Sequence, residues 1–373
     1  MTALQTTTPA WANAPLRLRA ARRLSTSAVA RRLFLDRQVD FWLGQLHPAW
    51  SLTELRARVV QVIDETHDVK TFVLQPGGAW PGHRAGQYVP VEVEIDGVRV
   101  RRCYSIASAP GDARVAITVK RVPGGRVSGF HHDHVRAGAV LGLGAPAGDF
   151  VLGDAAGSGL LLLSGGSGVT PGMSMLRELA ARGEVRDVVF LHAARSAADV
   201  IFRDELRSLD RAHRGLRVIL RLDDEALAGP LDEAELRARV PDFAARETFL
   251  CGPPGMMDAM ERLWAGAGAR DRLHLERFVA ARPRPATPTE GVTLRLSRSG
   301  RSLPVGPGTV LEQLERAGER PAYGCRMGIC QTCRCRKRTG TVLDVLTGAV
   351  SSEPDEEIRL CVSVARSDLD LAL

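Results

Sequence analysis

Four cysteines near the end of the chain have the spacing that ligands of a metal cluster require. Cys325, Cys330 and Cys333 follow the pattern C-x4-C-x2-C, and Cys361 comes after 27 intervening residues. This spacing is typical of the four thiolate ligands of a 2Fe–2S cluster, three from one tight loop and the fourth from a separate strand. A zinc site is the alternative, but a zinc ribbon would require paired C-x2-C knuckles.

Two glycines and a fifth cysteine lie beside these ligands. Gly324 and Gly328 would let the loop backbone approach the sulfurs, where a larger side chain would obstruct it. Cys335 follows Cys333 by two residues, and we expect it to be a buried structural thiol. Seven cysteines, four of them clustered, favour metal binding in a reducing compartment over a disulfide framework.

A second group of polar residues suits a flavin. The tetrapeptide Arg102-Cys103-Tyr104-Ser105 ends a predicted strand. Its arginine can pair with a pyrophosphate, its tyrosine can stack on a ring system and its serine can reach the flavin N5, whereas Cys103 is expected to face the barrel core. The segment from Gly124 to Ser128 (GGRVS) opens a predicted helix, and backbone amides at a helix start suit a phosphate. The alternative is a pair of ordinary barrel turns.

A third group suits a dinucleotide. The segment from Gly165 to Pro171 (GGSGVTP) follows a buried strand and precedes a helix, so its backbone amides can approach a pyrophosphate. Cys251-Gly252-Pro253-Pro254 ends a later strand, at the sheet edge where such proteins bind ligands. The Cys251 thiol could pack against a nicotinamide ring there, although a buried structural cysteine is the simpler interpretation.

The elements around these groups predict several domains. A chain of 373 residues suits two or three domains. Short alternating strands separated by Gly/Pro turns from about residue 51 to 150 predict an antiparallel barrel or sandwich. Strands and helices then alternate, with strands at Leu160–Ser164, Val188–His192, Leu216–Leu222 and Thr248–Cys251 and helices at Gly172–Arg182 and Val200–Leu209. This alternation predicts a doubly wound parallel sheet.

The predicted boundaries follow from these changes in pattern. We expect an extension over 1–50, a flavin-binding barrel over 51–155, a nucleotide domain over 156–281, a proline-rich linker over 282–289 and a third unit, which contains the four cysteines, over 290–373.

The net charge of +7 is concentrated in the N-terminal extension. Residues 1–35 contain six arginines and no acid, whereas residues 36–285 are balanced. Nucleic-acid binding by the main domains is therefore not expected. A predicted helix from about Ser27 to Leu46 has one apolar face that includes Trp42 and Leu43. Residues 1–46 could contact a membrane surface, or the helix could instead pack on the protein body.

Taken in order, these motifs resemble the ferredoxin–NADP⁺ reductase superfamily with a fused C-terminal plant-type ferredoxin. The resemblance covers about residues 54–373. HPAWS at 47–51, DRLHLERF at 271–278 and the segment 324–333 are similar to a narrower group, the actinobacterial reductases that supply electrons to membrane acyl-CoA desaturases. The resemblance implies a flavoprotein oxidoreductase for electron transport, cytoplasmic or peripheral at the inner face of the membrane. It also implies that residues 290–373 form a ferredoxin domain of the α+β, β-grasp type.

The resemblance also implies which residues bind each cofactor. FAD would be held by matching motif residues, and a nicotinamide nucleotide by the two glycine-rich segments. Ser105, Cys251 and Glu276 would act at the reacting centre, with Phe278 near the flavin edge. The cofactor-binding residues are Arg102, Cys103, Tyr104, Ser105, Lys120, Gly125, Val127, Ser128, Gly166, Gly168, Thr170 and Gly252. FMN-containing phthalate-dioxygenase-type relatives lack the segment that Gly125–Ser128 represents here, which favours FAD.

The expected electron donor is NADPH, with NADH as the alternative. NADH enzymes usually place an acid after the second parallel strand, whereas this chain has Arg195 there, which suits a 2′-phosphate. Arg221 is expected to assist. The expected acceptor is a terminal oxygenase, such as a membrane di-iron desaturase or hydroxylase. The alternatives are an NADH-dependent reductase for a soluble Rieske oxygenase and, in another class, an iron–sulfur redox sensor.

Overall fold

The structure of the chain is a computed structural model. The structure describes residues 51, 54–77, 80–153, 159–223, 231–278, 291–324, 326, 328 and 332–373. The predicted extension and its helix, the linker at 282–289, and Cys325 and Cys330 lie outside the described residues. The predicted domain boundaries therefore stay predictions.

The first domain is a six-stranded antiparallel barrel with the order β4-β3-β6-β1-β2-β5. A bridge between Ile106 and Ile117 links the residue after β4 to β5 and brings the two edges together. Alternating apolar residues such as Val89 and Val91 fill the interior. The strands are β1 Leu55–Thr66, β2 Val69–Pro76, β3 Tyr88–Ile95, β4 Val98–Ser105, β5 Val115–Lys120 and β6 Val140–Leu143. Helix α1, Arg126–His134, follows β5.

The second domain is a five-stranded parallel sheet with the order β11-β10-β7-β8-β9. Its strands are β7 Leu160–Gly165, β8 Val188–Ala194, β9 Leu216–Leu222, β10 Glu247–Cys251 and β11 Leu273–Glu276, and its helices are α2 Val169–Arg182, α3 Arg203–Ala212, α4 Glu233–Arg239 and α5 Pro254–Gly266. Separate apolar clusters cover the two faces of the sheet. The doubly wound parallel arrangement predicted from the sequence is confirmed.

Two predicted helix starts differ from those observed. Helix α2 begins at Val169, three residues before the predicted start, because Pro171 is tolerated in a first turn. Helix α3 begins at Arg203, three residues after the predicted start, because Phe202 has a left-handed backbone (φ 58°).

The barrel and the nucleotide domain are joined by specific contacts. Ser174 Oγ donates to the carbonyl of Ser108 at 2.7 Å, and Arg177 Nη1 donates to the carbonyl of Ala107 at 2.6 Å. Gly86 is confined at this junction, since an added Cβ would lie 2.1 Å from the carbonyl oxygen of Phe150. These contacts position the carboxyl edge of the parallel sheet beside the end of β4.

The C-terminal domain has a mixed five-stranded sheet, β13-β12-β19-β14-β17, and a three-stranded sheet, β16-β15-β18. Strands β12 and β19 pair in parallel within this α+β domain. The strands are β12 Thr293–Leu296, β13 Ser302–Pro304, β14 Arg334–Thr339, β15 Val342–Asp344, β16 Val350–Ser351, β17 Glu356–Arg359, β18 Ser363–Ala365 and β19 Leu369–Leu371. Helix α6, Val310–Arg316, begins with a Thr309/Glu312 capping box. No helix in the described part of the chain is long and apolar enough to cross a membrane.

Candidate flavin, nucleotide and iron–sulfur sites

A row of side chains crosses the carboxyl edge of the parallel sheet. Glu276 pairs in register with Cys251, Cys251 with Ser164, and Ser164 with His192. Residues paired in register lie on the same face of a sheet. The row therefore brings two of the predicted reacting residues, Cys251 and Glu276, to one face at the ligand-binding edge.

Ser105 reaches this row from the barrel. Its Oγ donates to Glu276 Oε2 at 3.2 Å across the domain boundary. Desolvation raises the pKa of Glu276 to about 8, although the hydrogen bond from Ser105 opposes that shift. The carboxyl is therefore mostly protonated at neutral pH. The structure thus brings together all three residues predicted to act at the reacting centre.

Cys251 is buried where the glycine-rich turn meets β10. Burial, with a smaller contribution from Glu276, raises the pKa of its thiol, so the group stays neutral. An added Cβ at Gly168 would lie 2.1 Å from the Cys251 carbonyl oxygen, and one at Gly252 would lie 3.1 Å from the Gly165 nitrogen. Only glycine at position 168 allows these two loops to lie so close together, and the fit at Gly252 is tight.

The rest of the glycine-rich turn is built for close backbone approach. Gly166 has a positive φ of 53°, and an added Cβ there would meet no atom within 4 Å. Thr170 is buried, and its Oγ1 donates to the carbonyl of Ser167 at 3.0 Å. The space over Gly166 and the tight packing below Gly168 suit a pyrophosphate laid on the start of α2.

His192 ends the row and was not predicted as a site residue. Its ring is fully buried, and its Nδ1 is 2.9 Å from Ser164 Oγ. Desolvation lowers the pKa of His192 to about 4, so the ring is neutral at physiological pH. The His192–Ser164 pair supports the sheet edge beneath the glycine-rich turn.

Arg102 links the barrel to residues 324–333, the segment that contains three of the predicted cluster ligands and is called the cluster loop below. Its Nη1 donates to the carbonyls of Arg101 at 2.8 Å and of Gly324 at 3.1 Å. Gly324 directly precedes the predicted ligand Cys325. The predicted flavin motif and the predicted cluster loop are therefore adjacent in space.

The other two residues of the motif lie on opposite faces of β4. Tyr104 pairs with the core residue Val89, and its ring lies edge-on to His131 with centroids 5.4 Å apart. Burial raises the pKa of Tyr104. Cys103 pairs with Pro90 on the other face and is half-buried, so the expectation that it faces the barrel core is wrong. Strand alternation places the neighbour of a core residue outside the core.

The segment before α1 lines a cleft of about 810 Å³. Gly125 is the N-cap of α1, and Ser128 Oγ accepts from the Val122 N–H at 3.1 Å and donates to the Gly125 carbonyl at 3.3 Å. Val127 belongs to the barrel core. Lys120 lines the cleft beside Gly125. An ammonium group, a glycine turn and a helix start form a set of donors that fits a flavin phosphate.

Arg195 lines the same cleft from the nucleotide domain. Its Nη2 lies 2.7 Å from Asp199 Oδ1 and 3.8 Å from Asp68 Oδ2, the latter on the barrel. Arg221 is instead buried and paired with Asp223 and Glu235, and it does not line this cleft. Its assisting role stays a prediction.

The described part of the cluster site has the donors that a 2Fe–2S centre needs. Cys333 and Cys361 are buried, and the Gly328 N–H points at Cys361 Sγ at 3.2 Å. An added Cβ at Gly328, which has a φ of 73°, would lie 2.8 Å from a methyl of Leu346. An amide aimed at a thiolate sulfur stabilises its negative charge. Together with the spacing of Cys325 and Cys330, this arrangement fits the cluster.

Two further predicted residues have clear places. Cys335 lies on β14 inside the ferredoxin core, and burial raises the pKa of its thiol. This agrees with its interpretation as a structural thiol. Phe278 packs against the apolar cluster between α2 and the sheet, two residues after Glu276.

Sequence reasoning missed the residues that act across domains. Asp68 lies in the turn between β1 and β2, where its sequence gives no sign that it faces Arg195. Asp199 could have been identified, because it is an acid shortly after the second parallel strand. The prediction for this segment instead rested on Arg195 alone. Arg102 was identified, but its contact with Gly324 could not be read from residues so far apart in the chain.

Three family models match the chain in order. They are the oxidoreductase FAD-binding domain at residues 56–152, the oxidoreductase NAD-binding domain at 162–262, and the 2Fe-2S iron-sulfur cluster binding domain at 294–366. The FAD, nicotinamide nucleotide and 2Fe–2S assignments are thereby confirmed.

The relatives are similar over most of their length. An NADPH oxidoreductase of Mycobacterium tuberculosis is 40% identical over 346 residues, covering 91% of this chain and 90% of that protein. The glycine betaine monooxygenase reductase subunit of Pseudomonas aeruginosa is 35% identical, covering 86% and 95%. The structure of phthalate dioxygenase reductase superposes with a TM-score of 0.62 at 28% identity, covering 86% and 98%. Each of these matches covers at least 86% of this chain and at least 90% of the relative.

Proposed function

Because this chain belongs to the family of NAD(P)H-dependent oxidoreductases that combine FAD-binding, NAD-binding and 2Fe–2S ferredoxin domains, we propose that it passes electrons from NADPH to a terminal oxygenase. One observation carries the order of the path. Arg102 of the flavin motif hydrogen-bonds Gly324, next to the first predicted cluster ligand. The flavin site therefore lies between the nucleotide edge of the sheet and the cluster loop.

Bound FAD would accept a hydride from the nicotinamide, and the cluster would accept its electrons singly. The chain supplies positioning for this chemistry. Cys251 presents a neutral, buried thiol against which the nicotinamide would pack. Ser105 directs its hydroxyl to the same junction, held there by Glu276. The proton on Glu276 at neutral pH keeps negative charge away from the site that receives the hydride.

The preference for NADPH rests on Arg195 in the cleft between the two domains. A guanidinium suits the 2′-phosphate that distinguishes NADPH from NADH. The test is kcat/KM for both nucleotides in the wild type and in Arg195→Ala. We expect the wild type to favour NADPH and the variant to lose about tenfold with NADPH alone. An unchanged preference would remove Arg195 from the proposal.

The proposed acceptor is a membrane di-iron desaturase or hydroxylase, which the N-terminal and cluster-loop sequences suggest. A soluble Rieske-type oxygenase, served with NADH as the donor, is the second candidate. The names of the relatives support an oxygenase as the acceptor, since they include a glycine betaine monooxygenase reductase subunit and phthalate dioxygenase reductase. Reconstitution of the purified reductase with one oxygenase of each type, with substrate oxidation as readout, separates them. The complete nicotinamide-plus-flavin apparatus argues against a sensor, and steady cytochrome c reduction by NADPH would exclude one.

Membrane docking by residues 1–46 belongs to the same proposal. The six arginines of residues 1–35 would attract anionic lipid, each by on the order of 1 kcal/mol, weakened by salt. The measurement is co-sedimentation with anionic vesicles at low and high salt, for the full chain and for one that lacks residues 1–46. Equal sedimentation of the two proteins would argue against docking.

A further inference from the structure

Arg195 faces two carboxylates, one from each domain. Asp199 Oδ1 lies 2.7 Å from Arg195 Nη2 within the nucleotide domain, and Asp68 Oδ2 lies 3.8 Å from the same atom across the cleft. The Arg195 side chain is 61% exposed, so it is accessible to a nucleotide. A 2′-phosphate that reaches Arg195 must therefore approach both acids.

The Asp68 carboxylate is fixed by its own turn. Its Oδ1 accepts from Thr66 Oγ1 at 3.0 Å, and its backbone carbonyl accepts from the Arg121 N–H at 2.7 Å. Its Oδ2 lies 3.4 Å from Lys120 Nζ, and its side chain is only 20% exposed. The carboxylate therefore cannot swing away freely when a second anion arrives.

We propose that Asp68, a residue of the flavin domain, helps to determine nucleotide specificity. It competes with the 2′-phosphate of NADPH for Arg195 and so makes the preference for NADPH over NADH smaller than it would otherwise be. The inference rests on the proposed role of Arg195 as the 2′-phosphate ligand. It assigns part of the nucleotide specificity to a residue outside the nucleotide domain.

The physical reason is a difference in charge between the two nucleotides. A phosphate monoester carries about −1.5 to −2 charges at pH 7, whereas NADH has a neutral hydroxyl at the same position. A fixed carboxylate near Arg195 therefore repels NADPH and leaves NADH almost unaffected. Asp199 acts in the same direction but also holds Arg195 in place, whereas Asp68 lies farther away and contributes repulsion without a hydrogen bond to that side chain.

The decisive variant is Asp68→Asn, which removes the charge and keeps the shape. We expect the ratio of kcat/KM for NADPH to that for NADH to rise about three- to tenfold, the scale of one or two partly exposed charge interactions. Both nucleotides reduce the same flavin, so a change in flavin binding alters both rates and leaves the ratio unmoved. Asp68→Ser, a second neutral variant, should change the ratio in the same direction.

The matched control is Asp64→Asn. Asp64 lies near the end of β1, just before the turn that contains Asp68, is exposed, and pairs with Lys70 at 3.2 Å instead of facing Arg195. It should leave the ratio within twofold of the wild type. An equal rise in this control would mean that overall charge governs the preference, and the assignment of Asp68 would fail.

Ligand affinity measured without turnover completes the test. The holoenzyme is titrated by calorimetry with adenosine 2′,5′-bisphosphate and with adenosine 5′-monophosphate. Compared with the wild type, Asp68→Asn should bind the bisphosphate more tightly and the monophosphate with unchanged affinity. In an Arg195→Ala background the same substitution should have less than half that effect. If Arg195→Ala leaves the preference unchanged, the proposed NADPH site itself fails. If Arg195→Ala lowers the preference but Asp68→Asn does not raise it, only the role of Asp68 is overturned.

Discussion

The cluster loop is assembled in a different way from the junction of the barrel and the nucleotide domain, where Ser105, Cys251 and Glu276 meet. Three of the four predicted cluster ligands lie within the nine residues from Cys325 to Cys333, and Cys361 follows on the same small domain. At the junction, Ser105 and Glu276 are 171 positions apart and belong to different domains. A local site depends on the conformation of one loop, whereas the junction depends on how two domains dock.

The two sites also handle charge differently. At the cluster loop, backbone donors such as the Gly328 N–H face a sulfur, which suits thiolates that must remain charged. At the junction, burial raises the pKa values of Cys251 and Glu276, which keeps both groups neutral. Damage to the cluster loop should therefore abolish one step, whereas damage to the junction should weaken a step by degrees.

The largest effect is expected from Cys330→Ser. Loss of a thiolate ligand should abolish the 2Fe–2S centre and lower cytochrome c reduction at least about 100-fold, a barrier increase of about 2.7 kcal/mol. Ferricyanide reduction, taken directly from the flavin, should stay within about twofold. The matched control is Cys335→Ser, which should keep the cluster absorbance. If Cys330→Ser also stops nucleotide oxidation, the two sites are not separate modules.

The sequence predicted the cluster site better than the junction, because the cluster ligands are close together in the chain whereas the junction residues belong to different domains. The spacing of Cys325, Cys330, Cys333 and Cys361 encodes the cluster site directly, because ligands of one loop must be close in sequence. The doubly wound sheet was also predictable, since strands and helices alternate over residues 160–251.

The junction required the fold. Ser105, Cys251 and Glu276 were placed together by resemblance, and only the packing of the barrel on the sheet gives the contact between Ser105 and Glu276. Asp68 could not be predicted at all, because its partner Arg195 belongs to another domain. The prediction that Cys103 faces the barrel core was wrong. The register of β4 places its neighbour Tyr104 opposite the core residue Val89, so the half-buried Cys103 side chain lies on the other face of the strand.

A smaller effect is expected at Glu276. Glu276→Ala leaves the Ser105 hydroxyl without its acceptor, which should slow flavin reduction about tenfold, since an unsatisfied buried donor costs about 1–3 kcal/mol. Stopped-flow absorbance of the flavin under NADPH measures this step. Glu276→Gln keeps an acceptor, so its rate at pH 6.5 should stay within about threefold of the wild type.

The pH dependence distinguishes a charged from a neutral Glu276. The wild-type rate should fall as the pH rises through about 8, where the carboxyl ionises, and Glu276→Gln should lack that decline. Stability should follow the same sign. Since the folded-state pKa lies above the ordinary value of 4.5, this group destabilises the fold increasingly as pH rises from about 4.5 to 8. A decline that persists in Glu276→Gln would assign it to another group.

The smallest effect is expected where the two regions meet, at Arg102. Arg102→Lys keeps the positive charge but loses the planar group that donates to both Arg101 and Gly324. The cluster loop should then dock less firmly beside the flavin site. We expect cytochrome c reduction to fall about fivefold relative to ferricyanide reduction, the scale of one hydrogen bond of about 1 kcal/mol.

The control is Arg101→Lys, because Arg101 pairs instead with Glu92 at 2.9 Å. Flavin content, read from absorbance, separates weaker docking from weaker flavin binding, since flavin loss lowers both rates together. A parallel fall of the two rates would mean that Arg102 serves only the flavin, and that the cluster loop reaches its position through other contacts.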